Sequence, residues 1–472
     1  PPHRAHANRH RTAATLGSTR QLRGGFMLAP WEALARYRIQ DLLSEAEHAR
    51  LVARLRALRR ARRHAATQVN LKATFTEDGG ARLDQVQADE TGSEVRVSTI
   101  ELFFDLVFVF AITQLTSLLA GDPTMAGLGR AVLIFGNLWW IYGGYAWLTN
   151  AVPPREPVLR LLMLAGMGGF LVVALAIPTA FDGGGVLFGL GYLLVTLVHT
   201  GMFLLSSHES AVRAVRRLGP ANAITAALLL LAAFTDGALQ WTLWVAAFGL
   251  HWVSPFFTAV PGFPIRAAHF VERHGLIVLI ALGESIVAIG IGTAGHGLQA
   301  DRVVTAVLGL TVAAALWWLY FDGEDERAER TLDAAPVDRA SWLALYGFGY
   351  AFLPLLGGII LFAAGVKNAV VHDGGPVTAS TAWLLAAGVA TYVVGLAWFR
   401  RLLDSGPAGA RLLLAGVVLP SAMIGLAVSP GAQLGVLAAV MVGGVLAESA
   451  WMHRKGRKGS PAPACAGLRG AL

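Results

Sequence analysis

Charged side chains are scarce in this chain. Asp, Glu, Lys and Arg make up 14% of its 472 residues, where a soluble domain carries about 25%. That deficit excludes an ordinary soluble globular protein. Cysteine is scarcer still: Cys465 is the only one, so no intrachain disulfide can form. No Walker motif, dinucleotide-binding glycine pattern or nucleophile elbow is present, which removes the usual signatures of nucleotide-driven and hydrolytic chemistry. No signal-peptide pattern opens the chain. His269-Phe270-Val271-Glu272-Arg273-His274 carries metal-capable side chains, but their spacing fits no common zinc signature. No catalytic residue, cofactor or metal ligand is therefore assigned.

What the chain has instead is apolar length. Hydrophobic residues make up 55%. Twelve apolar spans follow residue 98, at about 100–120, 130–149, 158–178, 185–205, 221–236, 239–260, 274–293, 303–321, 341–364, 380–399, 411–428 and 431–452. Each is near the ~20 residues that a helix needs to cross a bilayer. The fold class expected is an all-α polytopic transmembrane bundle of about twelve helices.

The loops agree with that count. With the N-terminus cytoplasmic, the inner loops hold Arg155, Arg160, Arg213, Arg216, Arg217, Arg266, Arg273, Arg327, Arg330, Arg339, Arg400, Arg401 and Arg411. The outer loops hold only Arg130, Arg302 and Lys367. Thirteen against three is a positive-inside bias that puts both termini in the cytoplasm.

Six segments are expected. Residues 1–30 form a low-complexity flanking tail, with Met27 read as the start. Residues 31–66 form a basic amphipathic helix, with Ile39, Leu42, Leu43, Leu51 and Leu55 at helical spacing. A polar linker at 67–97 leads to one transmembrane half at 98–262 and a second at 263–453. A basic cytoplasmic tail occupies 454–472. Basic termini beside membrane helices favour anionic lipid over nucleic acid as a partner.

Two Trp-Trp pairs suggest an internal repeat. Leu138-Trp139-Trp140-Ile141-Tyr142 and Leu316-Trp317-Trp318-Leu319-Tyr320 each follow an acid-containing helix. Aligning those preceding helices sets Ala111 against Ala281 and Gln114 against Glu284. Two halves of six helices run parallel, because six is even. Clustering of aromatics at membrane interfaces would give the same pairs without a repeat.

The polar residues inside the spans are the candidate sites. Glu284 lies midway along 274–293, where a charge costs roughly 3 kcal/mol on insertion scales. Such an acid faces a bundle interior, a cavity or a partner, and no basic residue lies within that span. His199, His251 and His274 are its candidate partners, as members of a proton relay or of a static network. Ser98-Thr99-Ile100-Glu101 fits a capping box, which gives Glu101 a structural role. Asp105 sits one turn deeper on the same face; it either pairs with an inner-loop arginine or coordinates a cation. Gln114, Thr113, Ser285 and Asn137 suit interhelical hydrogen bonds. The run Asp322-Gly323-Glu324-Asp325-Glu326 reads as a solvated loop.

Two stretches carry a resemblance. VSTIELFFDLVFVFAITQLT at 97–116 and ERHGLIVLIALGESIVAIG at 272–290 resemble the bacterial low temperature requirement A family, and YGFGYAFLPLLGGIILFAAGVKNAV at 346–370 is similar to a third block of it. The likeness spans about 97–452. It implies a multi-pass protein of the bacterial inner membrane and names a growth phenotype in the cold rather than a reaction. The positions that match its motifs are Glu101, Phe104, Asp105, Gln114, Glu272, His274, Gly283, Glu284 and Ser285.

Three functional classes remain. The leading one is a proton- or cation-linked transporter or channel, with Glu284 and Asp105 as responsive acids. The partners are then the bilayer and a proton, small cation or small solute; a homo-oligomer is compatible. The second is a non-transporting scaffold or sensor that supports growth under cold stress. An enzyme acting on lipid through Glu284 and the histidines is the third.

Overall fold

The computed structural model describes residues 97–205, 209–257, 263–293, 299–372 and 375–459. The expected tail at 1–30, the amphipathic helix at 31–66, nearly all of the linker at 67–97 and the end of the basic tail lie outside these residues. Among them every regular element is helical. A bilayer dictates this, since only internal hydrogen bonding satisfies the backbone in lipid.

The helices are α1 (Thr99–Gly121), α2 (Met125–Ala151), α3 (Pro157–Ala176), α4 (Gly185–Leu204), α5 (Glu209–Ala232), α6 (Gly237–Phe257), α7 (Ala267–Thr293) and α8 (Ala300–Phe321). They continue as α9 (Glu324–Ala334), α10 (Val337–Leu343), α11 (Phe352–Val371), α12 (Ala379–Leu402), α13 (Gly409–Val418), α14 (Ser421–Ala427) and α15 (Pro430–Gly459). Among the described residues nine helices, some of them joined pairs, are long and apolar enough to cross a membrane: α1, α3, α4, α7, α8 with α9, α10 with α11, α12, α13 with α14, and α15. The chain is thus an all-helical membrane protein of many spans. α2, α5 and α6 are not among the nine. Arginines open α5, while Gly, Trp and polar residues dilute α2 and α6.

The helix ends follow local chemistry. The backbone N–H and the hydroxyl of Ser98 donate to Glu101 Oε2 at 2.8 and 2.6 Å, completing the capping box that the sequence predicts. Thr124 and Thr378 accept from the first turns of α2 and α12. Pro420, which has no N–H to donate, stands between α13 and α14, so the span expected at 411–428 is interrupted.

Three expectations are corrected. α7 starts at Ala267 rather than 274, because Asn150 accepts from Arg266 N (3.0 Å) and donates to Arg266 O (3.1 Å), anchoring the chain just before the helix. Arg273 therefore lies inside the same helix as Glu284 and not in a loop. The span at 341–364 extends over 337–371 through a π-helical stretch, Ala344–Tyr350, in which Ala351 N–H bonds to Tyr346 O. Trp139 Nε1 donates to Gly349 O in that stretch at 2.8 Å. The acidic run is not a solvated loop: Gly323 turns the chain at φ 87°, and Glu324 opens α9 wholly buried.

α11 and α12 meet backbone to backbone. A Cβ on Gly358 would stand 2.4 Å from Tyr392 N, and one on Gly388 2.5 Å from Phe362 N. Such crossings need small residues. Gly358→Ala should cost about 1–3 kcal/mol in melting of the detergent-solubilised protein, because backbone cannot yield as a side chain can. Gly416→Ala, with nothing within 4 Å, is the control. Equal melting of the two variants would refute this packing.

Candidate functional site

α1 carries acids at its start and hydroxyls further along, and both sets face α7. The first set centres on Arg273, which is fully buried. Its Nη2 donates to Asp105 Oδ1 at 3.1 Å, and its Nη1 lies 3.5 Å from Glu101 Oε1. Nη1 also donates to Tyr145 O at 3.3 Å and to the Thr149 hydroxyl. The guanidinium lies 5.5 Å from the ring centres of both Phe104 and Tyr142. Tyr142 OH donates to Asp105 Oδ1 at 2.9 Å. His269 Nε2 is 3.0 Å from Glu101 Oε1, while Asn150 Nδ2 is 3.4 Å from His269 Nδ1. Of the two readings open for Asp105, the geometry supplies the arginine. Glu101 is both cap and ion-pair partner.

The second set lies eleven residues along α7, ~16 Å away at 1.5 Å per residue. Glu284 is 3% exposed. The Thr113 hydroxyl donates to its Oε2 at 2.6 Å. One turn on along α1, Ser117 Oγ accepts from Lys367 Nζ of α11 at 3.0 Å, and Asn368 donates to Ala120 O. Ser285 is fully buried, its hydroxyl without a hydrogen bond among the described residues. Gln114 is half-buried beside Thr113.

The histidines are elsewhere. His199 packs against Tyr145 and Phe203. His251 stacks on Trp140, with Nδ1 3.5 Å from Tyr192 OH. His274 sits among Trp139, Phe270, Phe348 and Phe352, and its Nδ1 donates to Phe270 O at 2.8 Å. None of the three contacts Glu284, so the expected Glu/His partnership is not formed; Thr113 takes that place.

A third set escaped sequence reasoning. Glu324 Oε1 meets Arg400, Arg411 and Arg327, the last two at 3.0 Å. Its Oε2 accepts from Ser405 at 3.0 Å. Glu448 of α15 pairs with Arg400 at 2.6 Å and Arg411 at 3.1 Å. The network ties α9 to α12, α13 and α15. The sequence showed its members separately, as an acidic run, inner-side arginines and a lone acid, Glu448, at the end of an apolar span.

Among the described residues no group of three or more His, Cys, Asp or Glu side chains could hold a metal ion. Four acids there are buried: Glu101, Asp105, Glu284 and Glu324. Three of them have an arginine within ion-pair distance, and Glu284 has none.

Comparison with known proteins places these residues in a wider group. A family model described as bacterial low temperature requirement A protein matches residues 96–446. A protein of Rhizobium meliloti (strain 1021), itself named as uncharacterized, is 31% identical over 334 residues, covering 66% of this chain and 79% of that protein. No solved structure matches.

Proposed function

The chain belongs to the bacterial low temperature requirement A family, and from that premise we propose that it is a proton- or cation-linked transporter of the bacterial inner membrane, with Glu284 as the responsive group. The observation that carries this reading is that Glu284 is buried with no ion-pair partner in direct contact among the described residues. An unpaired carboxylate out of water costs several kcal/mol, and one hydroxyl does not compensate a full charge. Lys367, held by Ser117 one turn on, attracts that charge from beyond ion-pair distance; a proton or a small cation would neutralise it at the carboxylate itself. Intramembrane acids of this kind mark ion and proton pathways.

The architecture in this reading has twelve crossings in two parallel halves, α1–α6 and α7–α15, with both termini cytoplasmic. Recurring neighbours support it: α1 packs on α3 as α7 on α11, α3 on α4 as α11 on α12, and α2 on α6 as α8 on α15. Particular contacts recur too. Tyr192 OH donates to Asn137 O as Tyr392 OH donates to Leu316 O. A Cβ on Gly169 would meet Gly191 O at 3.2 Å, and one on Gly358 would meet Gly388 O at 2.7 Å. The Trp pairs themselves do not share an environment: Trp139 is buried, whereas Trp317 and Trp318 are 40% and 48% exposed. The arginine and lysine asymmetry read from the sequence supports cytoplasmic termini.

Purified protein in liposomes with a trapped pH dye, under imposed K⁺, Na⁺ and proton gradients, tests the transport reading. Glu284→Gln keeps an oxygen for Thr113 and removes the charge. It should lower the flux at least about tenfold, the kinetic equivalent of ~1.4 kcal/mol, with melting unchanged. Wild-type flux in Glu284→Gln would remove that residue from the path. Absence of flux in the wild type under every gradient would favour the scaffold or sensor, a reading supported by the static ion pairs of Asp105 and Glu324.

A further inference from the structure

Consecutive arginines end α12 and do different things. Arg400 is 4% exposed and committed to Glu324 and Glu448. Arg401 is exposed and makes no ion pair among the described residues. It stands at a groove of about 450 Å³ between α12 and the start of α13. Val394, Ala397 and Trp398 form one wall; Ala408, Gly409 and Leu412 form the other. Every lining residue except Arg401 is apolar. Trp398 and Val394 are each 41% exposed and Leu412 is 52%, so the groove opens sideways from a helix that is apolar enough to cross the membrane.

We propose that this groove is a site for one anionic phospholipid, its acyl chain along the apolar walls and its phosphate on Arg401. An apolar channel on the bilayer face excludes water and accepts hydrocarbon. A guanidinium at its mouth, free of any acid, matches phosphate oxygens with paired N–H donors. Asp404, three residues on, makes no ion pair with it among the described residues. Trp398 beside Arg401 suits the headgroup level, where indoles anchor. Basic pockets between membrane helices are places where acidic headgroups dock. Ala408, the residue before α13, adds no side-chain cap to that helix.

Trp398 also gives the readout. The protein is reconstituted in phosphatidylcholine vesicles that contain increasing fractions of phosphatidylglycerol with brominated acyl chains. Brominated phosphatidylcholine is the matched series. The Trp398 signal is the difference between the wild type and Trp398→Phe. Brominated phosphatidylglycerol should half-quench that signal at a roughly fivefold lower mole fraction than brominated phosphatidylcholine, the worth of about one basic residue beside anionic lipid. Arg401→Gln should merge the two curves with melting unchanged. Ala397→Phe, which fills the groove, should raise the half-quenching fraction for both lipids. Coincident curves in the wild type would overturn the proposal, as would a preference that survives Arg401→Gln. A Trp398 that neither lipid reaches would also overturn it and put a second copy of the chain over the groove.

Discussion

Arg273→Met should destabilise the protein by about 3–5 kcal/mol, the usual cost of removing one member of a buried ion pair. Arg273 faces two carboxylates, Asp105 at 3.1 Å and Glu101 at 3.5 Å, with nothing exposed to solvent. Met fills comparable volume, so the loss is electrostatic rather than a cavity. His269 and Ser98 still serve Glu101, and Tyr142 still serves Asp105. Among the described residues Asp105 therefore loses its only ion-pair partner, and its Oδ2 already lacks a hydrogen bond. Asp105→Asn in the Arg273→Met background should accordingly recover part of the loss, whereas Asp105→Asn alone should destabilise. Arg273→Lys should fall between, since a point charge cannot fork to two acceptors. Melting in detergent, followed by tryptophan fluorescence and gel filtration, reads all four. A melting curve for Arg273→Met that overlays the wild type would mean that this pairing does not hold α1 to α7.

Glu324→Gln should be comparably severe. Its carboxylate is the hub on which Arg327, Arg400 and Arg411 converge. Neutralising it leaves three guanidiniums facing one another, with Glu448 as the only acid among the members of the network. Loss of a buried partner again costs about 3–5 kcal/mol. Glu448→Gln should cost less, because its side chain is 14% exposed and water screens what remains. The order is the test: a larger loss for Glu448→Gln would place the hub on α15. Added salt should reduce the Glu448 effect more than the Glu324 effect, since buried pairs are screened least.

Legibility in the sequence was uneven. The capping box at Ser98 and Glu101 was readable because it needs only residues three apart. Most apolar spans matched helices, but α5 began twelve residues early, the span at 411–428 was split, and α7 began seven residues early because its start depends on Asn150 in another helix. From the sequence, Asp105 admits two readings and Glu324 falls in a loop. Both depend on arginines distant in the chain: Arg273 lies 168 positions from Asp105, and Arg400 lies 76 from Glu324. His199, His251 and His274 are candidate partners of Glu284 because histidine can pair with a carboxylate, but residue type says nothing about direction around a helix.

By itself, then, the sequence determined the all-helical membrane class, the approximate limits of the helices, the family, and the presence of a carboxyl in the middle of α7. Hydrocarbon imposes the first two through length and composition alone. Only the tertiary structure decided that Glu284 meets Thr113, that Asp105 meets Arg273, and that Glu324 is the centre of an ion network. The physical reason lies in the solvent. Lipid and protein interior are both apolar, so a helix that is hydrophobic all round does not encode which face turns inward. That rotation, and with it every polar pairing between helices, is fixed only when the helices pack.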